Sequence, residues 1–120
     1  MPRKIVYIEL PSGDAGRARE FWGSLMDVKF QAWEGPMEYH MFEGDPGGGI
    51  YEGDDAGSGP IVYFGTEDID ADIARTRELG GQAEEKQPIP GIGWYVRCHD
   101  TEGNSFSFFQ NDPSVPAPGE

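Results

Sequence analysis

The sequence predicts an α+β protein in which one plan, strand, helix and then three strands, is written twice, before and after about residue 56. Three observations carry this. Ile5–Leu10 and Ile61–Gly65 each read as a strand followed by an acid-capped helix. A Gly, Asp and Ser-rich linker, residues 52–60, separates the halves. The stretch Asp100–Gln110 is a polar turn feeding a strand, with Phe106 and Phe108 on one side and Ser105, Ser107 and Phe109 on the other. Each half is too small to bury a sheet alone, so the halves must share a surface and form one domain over residues 1–111. Module one runs to about residue 55 and module two over about 56–111.

In chain order, Val6, Ile8 and Leu10 give the first strand a dry side, and Ile5, Tyr7 and Glu9 form its mixed side. Asp14 is placed to cap the following helix, whose apolar stripe is read as Ala18, Phe21, Trp22 and Leu25. Val28–Trp33 is strand-like, Glu34-Gly35-Pro36 a turn, and Glu38–Glu43 a second strand. The glycines at 47–49 lack the Lys-Ser/Thr ending of a phosphate loop and read as a turn before Ile50-Tyr51. In the second half, acids at 68, 70 and 72 precede Arg75 and Arg77, which suits a helix dipole. Ile69, Ile73 and Leu79 are its expected buried side, and Gly80-Gly81 its stop. Gln82–Gln87, Trp94–His99 and Ser105–Gln110 are strands, Pro88–Gly91 a loop, and residues 112–120 a disordered tail.

Composition bounds the function. Twenty-two acids against nine bases give a net charge of −13, which repels nucleic acid and anionic membranes. The lone Cys98 excludes an internal disulfide and, with no apolar run of spanning length, predicts a cytoplasmic soluble protein. Cys98 itself reads as a buried inert thiol, and His40 and His99 as residues in ordinary hydrogen-bonding or surface roles.

Four stretches, in order and in register, carry a resemblance: Glu9-Leu10-Pro11-Ser12-Gly13-Asp14 leading to Phe21-Trp22; Glu67-Asp68-Ile69-Asp70 leading to Leu79-Gly80-Gly81; Pro90-Gly91-Ile92-Gly93; and Asp100–Phe106. Together they resemble the vicinal oxygen chelate superfamily of glyoxalases, bleomycin-resistance proteins and extradiol dioxygenases. The resemblance implies paired βαβββ modules forming a cup-shaped mixed sheet with helices on the outer faces, and a homodimer. It also implies that metal-using members draw ligands from the first and last strands of each module. Carried over, these positions fall on Tyr7, Ile61 and Ser107, with the fourth near Ile50–Glu52. Such a set holds no catalytic divalent ion, so neither a metal nor another cofactor is expected.

The expected function is therefore binding of a small, partly aromatic molecule without a metal, as a sequestering or resistance-type protein. Its expected walls are Tyr7, Trp33, Tyr39, Tyr63, Trp94, Ser107 and Phe109. The alternative is a glyoxalase-like lyase or isomerase with Glu9 or a histidine as acid/base; a salt bridge from Glu9 to an arginine such as Arg97 is the competing role for that carboxylate.

Overall fold

The computed structural model describes residues 3–33, 38–54 and 56–116; the turn expected at 34–36 lies outside them. The chain divides into two units, Val6–Ile61 and Met1–Ile5 with Val62–Glu120. The first carries β1 (Ile5–Ser12), α1 (Ala15–Met26), β2 (Gln31–Ala32), β3 (Tyr39–Phe42) and β4 (Gly47–Glu52). Its strands lie in the order β2, β3, β4, β1, with β4 parallel to β1 and antiparallel to β3. The second carries β5 (Ile61–Gly65), α2 (Ile69–Glu78), β6 (Gln82–Ala83), β7 (Gln87–Ile89), β8 (Gly93–His99) and β9 (Ser105–Asn111). Here β9 is parallel to β5 and antiparallel to β8, and both β6 and β7 pair with the far side of β8. The protein is thus α+β, with two βαβββ modules. No helix among the described residues is long and apolar enough to cross a membrane.

The duplication extends to single hydrogen bonds at the helix starts. The amide of Asp14 donates to the Ser12 hydroxyl and that of Asp68 to the Thr66 hydroxyl, at 3.0 and 3.1 Å. Asp14 then accepts from the Arg17 amide and Asp68 from the Ala71 amide, again at 3.0 and 3.1 Å. All these pairs stand 54 positions apart in the chain. A third bond comes from outside the helix. Glu52, closing β4, accepts the Ala15 amide at 2.9 Å, and Gln110, near the end of β9, accepts the Ile69 amide at 2.8 Å. Two of the four orphan amides of each helix are thereby satisfied, one of them by the sheet.

This clamp fixes the side of the sheet on which each helix lies. In the second unit Ile69 and Ile73 pack with Val96 and Cys98, flanked by Ala83, Trp94, Phe106 and Phe108. Leu79, expected on that side, is instead the exposed C-cap, because the helix ends at Glu78 and Gly80 turns the chain at φ 95°. In the first unit the expected stripe is rotated. Ala15 is fully buried and Ala18 and Trp22 are half-buried, whereas Phe21 and Leu25 are 57% and 63% exposed. The close approach at Gly23, where a Cβ would sit 3.3 Å from the Val28 carbonyl, turns the helix so that the 15, 18, 22 row faces inward.

Three other segments differ from expectation. The glycines at 47–49, expected to form a turn, are the first half of β4, where Gly48 and Gly49 leave room for the Phe42 ring and the two phenols. The strand expected over 82–87 is broken, because Arg77 draws the Ala83 and Glu84 carbonyls to its guanidinium at 2.8 and 3.3 Å. The chain rejoins β8 as β7, where Pro88 sits on an edge that needs no donor. The expected loose tail instead folds back through residues 112–116: the Gly91 amide bonds the Val115 carbonyl at 2.8 Å and Val115 is buried. Residues 117–120 of that tail lie outside the described residues.

The clamps make a direct prediction. Glu52→Ala and Gln110→Ala should each lower unfolding free energy by about 1 kcal/mol in urea titrations, while Glu52→Gln, which keeps an acceptor, should stay near the parent. Unchanged midpoints for both alanine variants would remove the clamp from the account.

Candidate functional site: a tyrosine pair on a buried glutamate

Register decides what gathers on the first unit's other face. Glu9 on β1 and Met41 on β3 both lie opposite Gly49 of β4, and Tyr39 lies opposite Tyr51. Side chains of directly paired residues share a face, so Tyr7, Glu9, Tyr39 and Met41 are neighbours on the side away from Ile50 and Glu52. Tyr39 donates its hydroxyl hydrogen to Glu9 Oε2 at 2.7 Å, and its oxygen lies 2.7 Å from that of Tyr7. A phenol has one hydrogen, so the bond between the two tyrosines runs from Tyr7 to Tyr39. Gly49 makes this possible: a Cβ there would stand 2.6 Å from the Tyr39 oxygen. Trp33 packs edge-on against Tyr39, ring centres 6.2 Å apart.

Glu9 is buried at 7% exposure. Burial is the largest influence on both phenols, pushing Tyr7 up to about 12 and Tyr39 higher still, with the charge of Glu9 adding to each. A cleft of about 560 Å³ opens onto Tyr7, walled by Phe30, Met41 and Phe42 and bordered by Asp27 and Glu43. Glu9 does not line it.

In the second unit Tyr63 and Arg97 both lie opposite Ser107, and Tyr95 lies opposite Phe109. Tyr63 and Tyr95 are 6.5 Å apart between ring centres. Ser107 is fully buried, its hydroxyl without a hydrogen-bond partner among the described residues. A second cleft, about 660 Å³, borders Tyr95 and Arg97 and is walled by Glu84, Glu85 and Gln87. Trp94 stands apart from these, on the face that packs with Ile69 and Ile73; its indole donates to Asp112 at 3.2 Å and Lys86 lies over its ring. His40 is buried and bonded to Glu38 at 2.7 Å. Burial holds the Cys98 thiol up at about 11, which suits an inert side chain.

The register also settles the position left near 50–52. Glu9 and Tyr63, 54 positions apart like the caps, lie opposite Gly49 and Ser107 respectively. Gly49 is therefore the counterpart of Ser107, and Glu52 is occupied at the start of α1. The positions that the resemblance assigns to metal become Tyr7, Gly49, Ile61 and Ser107, with no imidazole, carboxylate or thiolate among them. Among the described residues no three His, Cys, Asp or Glu side chains form a group that could hold a metal ion. This donor set does not fit a catalytic divalent ion.

No protein-family model and no curated protein matches the sequence. Solved structures do. A hypothetical protein from Bacillus halodurans superposes with a TM-score of 0.72 at 15% identity, over 98% of this chain and 100% of the other. Streptomyces coelicolor methylmalonyl-CoA epimerase in complex with 2-nitronate-propionyl-CoA gives 0.69 at 20% identity, over 97% and 99%. The Mycobacterium tuberculosis methylmalonyl-CoA epimerase gives 0.66 at 14%, over 95% and 88%. These epimerases are vicinal oxygen chelate proteins. This chain has the vicinal oxygen chelate fold.

Within that fold, sequence reasoning nominated Tyr7, Glu9, Trp33 and Tyr39, which the structure gathers in one unit, and Tyr63, Ser107 and Phe109, which share a face in the other. It missed the cleft wall at residues 27–31 and 41–43. The apolar pair Phe30 and Phe42, whose rings meet at 5.7 Å, was visible as two strand-like stretches but not as neighbours.

Two measurements probe the tyrosine pair. Gly49→Ala should cost about 1–3 kcal/mol, since the phenols must move. In an ultraviolet titration one tyrosine should ionise near 12 rather than at the ordinary 10.0. Its contribution to stability is complete below pH 10 and fades as pH rises through about 12; Tyr7→Phe should reduce that alkaline dependence and leave the part due to Tyr39.

Proposed function

We propose that this protein binds a small, partly aromatic molecule in the cleft at Tyr7, without a metal, and holds it rather than converting it. The observation that carries the reading is the separation of the buried acid from the cleft. Glu9 meets the cleft through Tyr39 and then Tyr7. A general base must stand within hydrogen-bond reach of the proton it takes, directly or through one relay. Here the relay is two phenols whose ionisation burial opposes. The carboxylate is thus placed to orient Tyr7, and Tyr7 to orient a ligand.

The cleft volume of about 560 Å³ falls in the range of small-molecule sites. Tyr7 provides a ring contact and Met41, on the same face of the sheet, a deformable wall. The epimerases of this fold are seen with coenzyme A thioesters. Asp27 and Glu43 at this cleft disfavour so anionic a ligand. The alternative is a glyoxalase-like lyase or isomerase using Glu9 or a histidine as acid/base; at this cleft Glu9 would act through Tyr39 and Tyr7. A homodimer in the cytoplasm completes the proposal.

Thermal-shift screening with flat aromatic compounds, alongside an acyl-CoA, tests it. A compound at a hundredfold its dissociation constant should add about 2.7 kcal/mol of stability, and Met41→Trp should abolish the shift while preserving the circular dichroism spectrum. A ligand that still stabilises Met41→Trp equally would place binding elsewhere. Turnover of an enolisable substrate that Glu9→Gln abolishes would replace holding with catalysis.

A further inference from the structure

We propose that the outer flank of α1 is the surface on which a second copy of this chain docks, the two helices lying antiparallel across a two-fold axis. The inference is independent of the cleft at Tyr7 and gives the proposed homodimer its surface. Ala18, Phe21 and Leu25 recur at spacings of three and four, within an arc of about 60° on a helix of 3.6 residues per turn. The fold does not absorb this stripe: Phe21, Leu25 and the adjoining Met26 are each more than half exposed. The second module shows that the scaffold does not require it. In α2 the counterpart of Phe21, 54 positions on, is Arg75, which pairs with Glu78, and the counterpart of Ala18 is Asp72, which pairs with Arg3. Leu25 alone keeps an apolar counterpart, Leu79. A flank finished with ion pairs in one module and left apolar in the other points to a partner on the apolar one.

A second copy fits this flank by charge and by size. The chain's net charge of −13 keeps two copies apart over most of their surface. Along α1, however, Arg17 and Arg19 outnumber Glu20, whereas α2 carries Asp70, Asp72 and Glu78 against Arg75 and Arg77. In an antiparallel pair centred between Phe21 and Trp22, Leu25 of one copy lies level with Ala18 of the other, a large side chain over a small one, and the two Phe21 rings meet near the axis. Arg17 then comes within about 1.5 Å, along the helix, of the level of Asp27 in the other copy. Both are exposed, and Asp27 is the left-handed C-cap of α1. The same alignment sets the positive start of each helix beside the negative end of the other. A parallel pair would set Arg17 beside Arg17 and Asp27 beside Asp27.

Sedimentation equilibrium of the full chain over a range of concentrations is the experiment. The parent should dimerise reversibly. Phe21→Arg, which copies the second module, and Leu25→Lys should each raise the dissociation constant at least about tenfold. Both should leave the circular dichroism spectrum unchanged, since these side chains are exposed in the single chain. Arg17→Gln should raise the constant up to about fivefold, with the difference largest at low salt. Ala18→Leu should weaken the dimer, and adding Leu25→Ala to the same chain should restore it. The two positions are about 10 Å apart along one helix, so that compensation must act across the contact. A parent that stays monomeric at every concentration overturns both this surface and the homodimer. A dimer whose dissociation constant neither Phe21→Arg nor Leu25→Lys alters overturns the surface and leaves the homodimer standing.

Discussion

Each module depends on one amide at the start of its helix being taken by a side chain from the end of its last strand. Glu52 does this for Ala15 and Gln110 for Ile69. A helix amide left unpaired at a buried end costs about 1–3 kcal/mol, so the acceptor is strongly held. Because side chains alternate along a strand, an acceptor at position 52 places the helix on the side of Ile50, and one at 110 on the side of Phe108 and Phe106. The opposite faces are thereby reserved for Tyr7, Glu9 and Tyr39 in one unit and Tyr63, Ser107 and Phe109 in the other.

Local chemistry explains what was readable in the sequence. Asp14 and Asp68 announce their helices because a carboxylate before an apolar period has few other uses. Asp100 likewise announces a turn, and it does accept the amides of Glu102 and Asn104. The failures are non-local. Phe21 and Leu25 fit a helical stripe as well as Ala15 and Trp22 do, and only the approach of Val28 to Gly23 chooses between them. No pattern in residues 82–87 shows that Arg77, one residue before the helix ends, will take the carbonyls of that strand. Trp94 has the composition of a ligand wall, yet its facing is set by pairing with Gln110, on the core side.

The candidate site was legible as a set of residues and not as an arrangement. Tyr7 and Glu9 are two apart on one strand, which any alternation shows. That Tyr39 reaches both requires the register of β3 on β4, and that register depends on Gly49 leaving room. The three glycines at 47–49 carry no chemistry themselves. Their use is visible only as the contacts a methyl group would make: Phe42 and the Ile8 carbonyl at Gly48, and the two phenols at Gly49.

The duplication explains why the two halves can now do different things. Equivalent places hold Gly49 and Ser107, and Glu9 and Tyr63, with Tyr39 and Tyr95 each opposite an aromatic of the last strand. In one module the small residue admits two phenols onto a carboxylate; in the other the serine is buried beside a tyrosine with no carboxylate at that position. The helix clamps are kept in both, as are the caps, because they maintain the scaffold. The inward positions are under no such constraint, so their side chains can differ between the modules while the shape is kept. In the first module those positions carry a chain of hydrogen bonds that runs from Tyr7 through Tyr39 to Glu9, and a chain of single hydrogens has a direction.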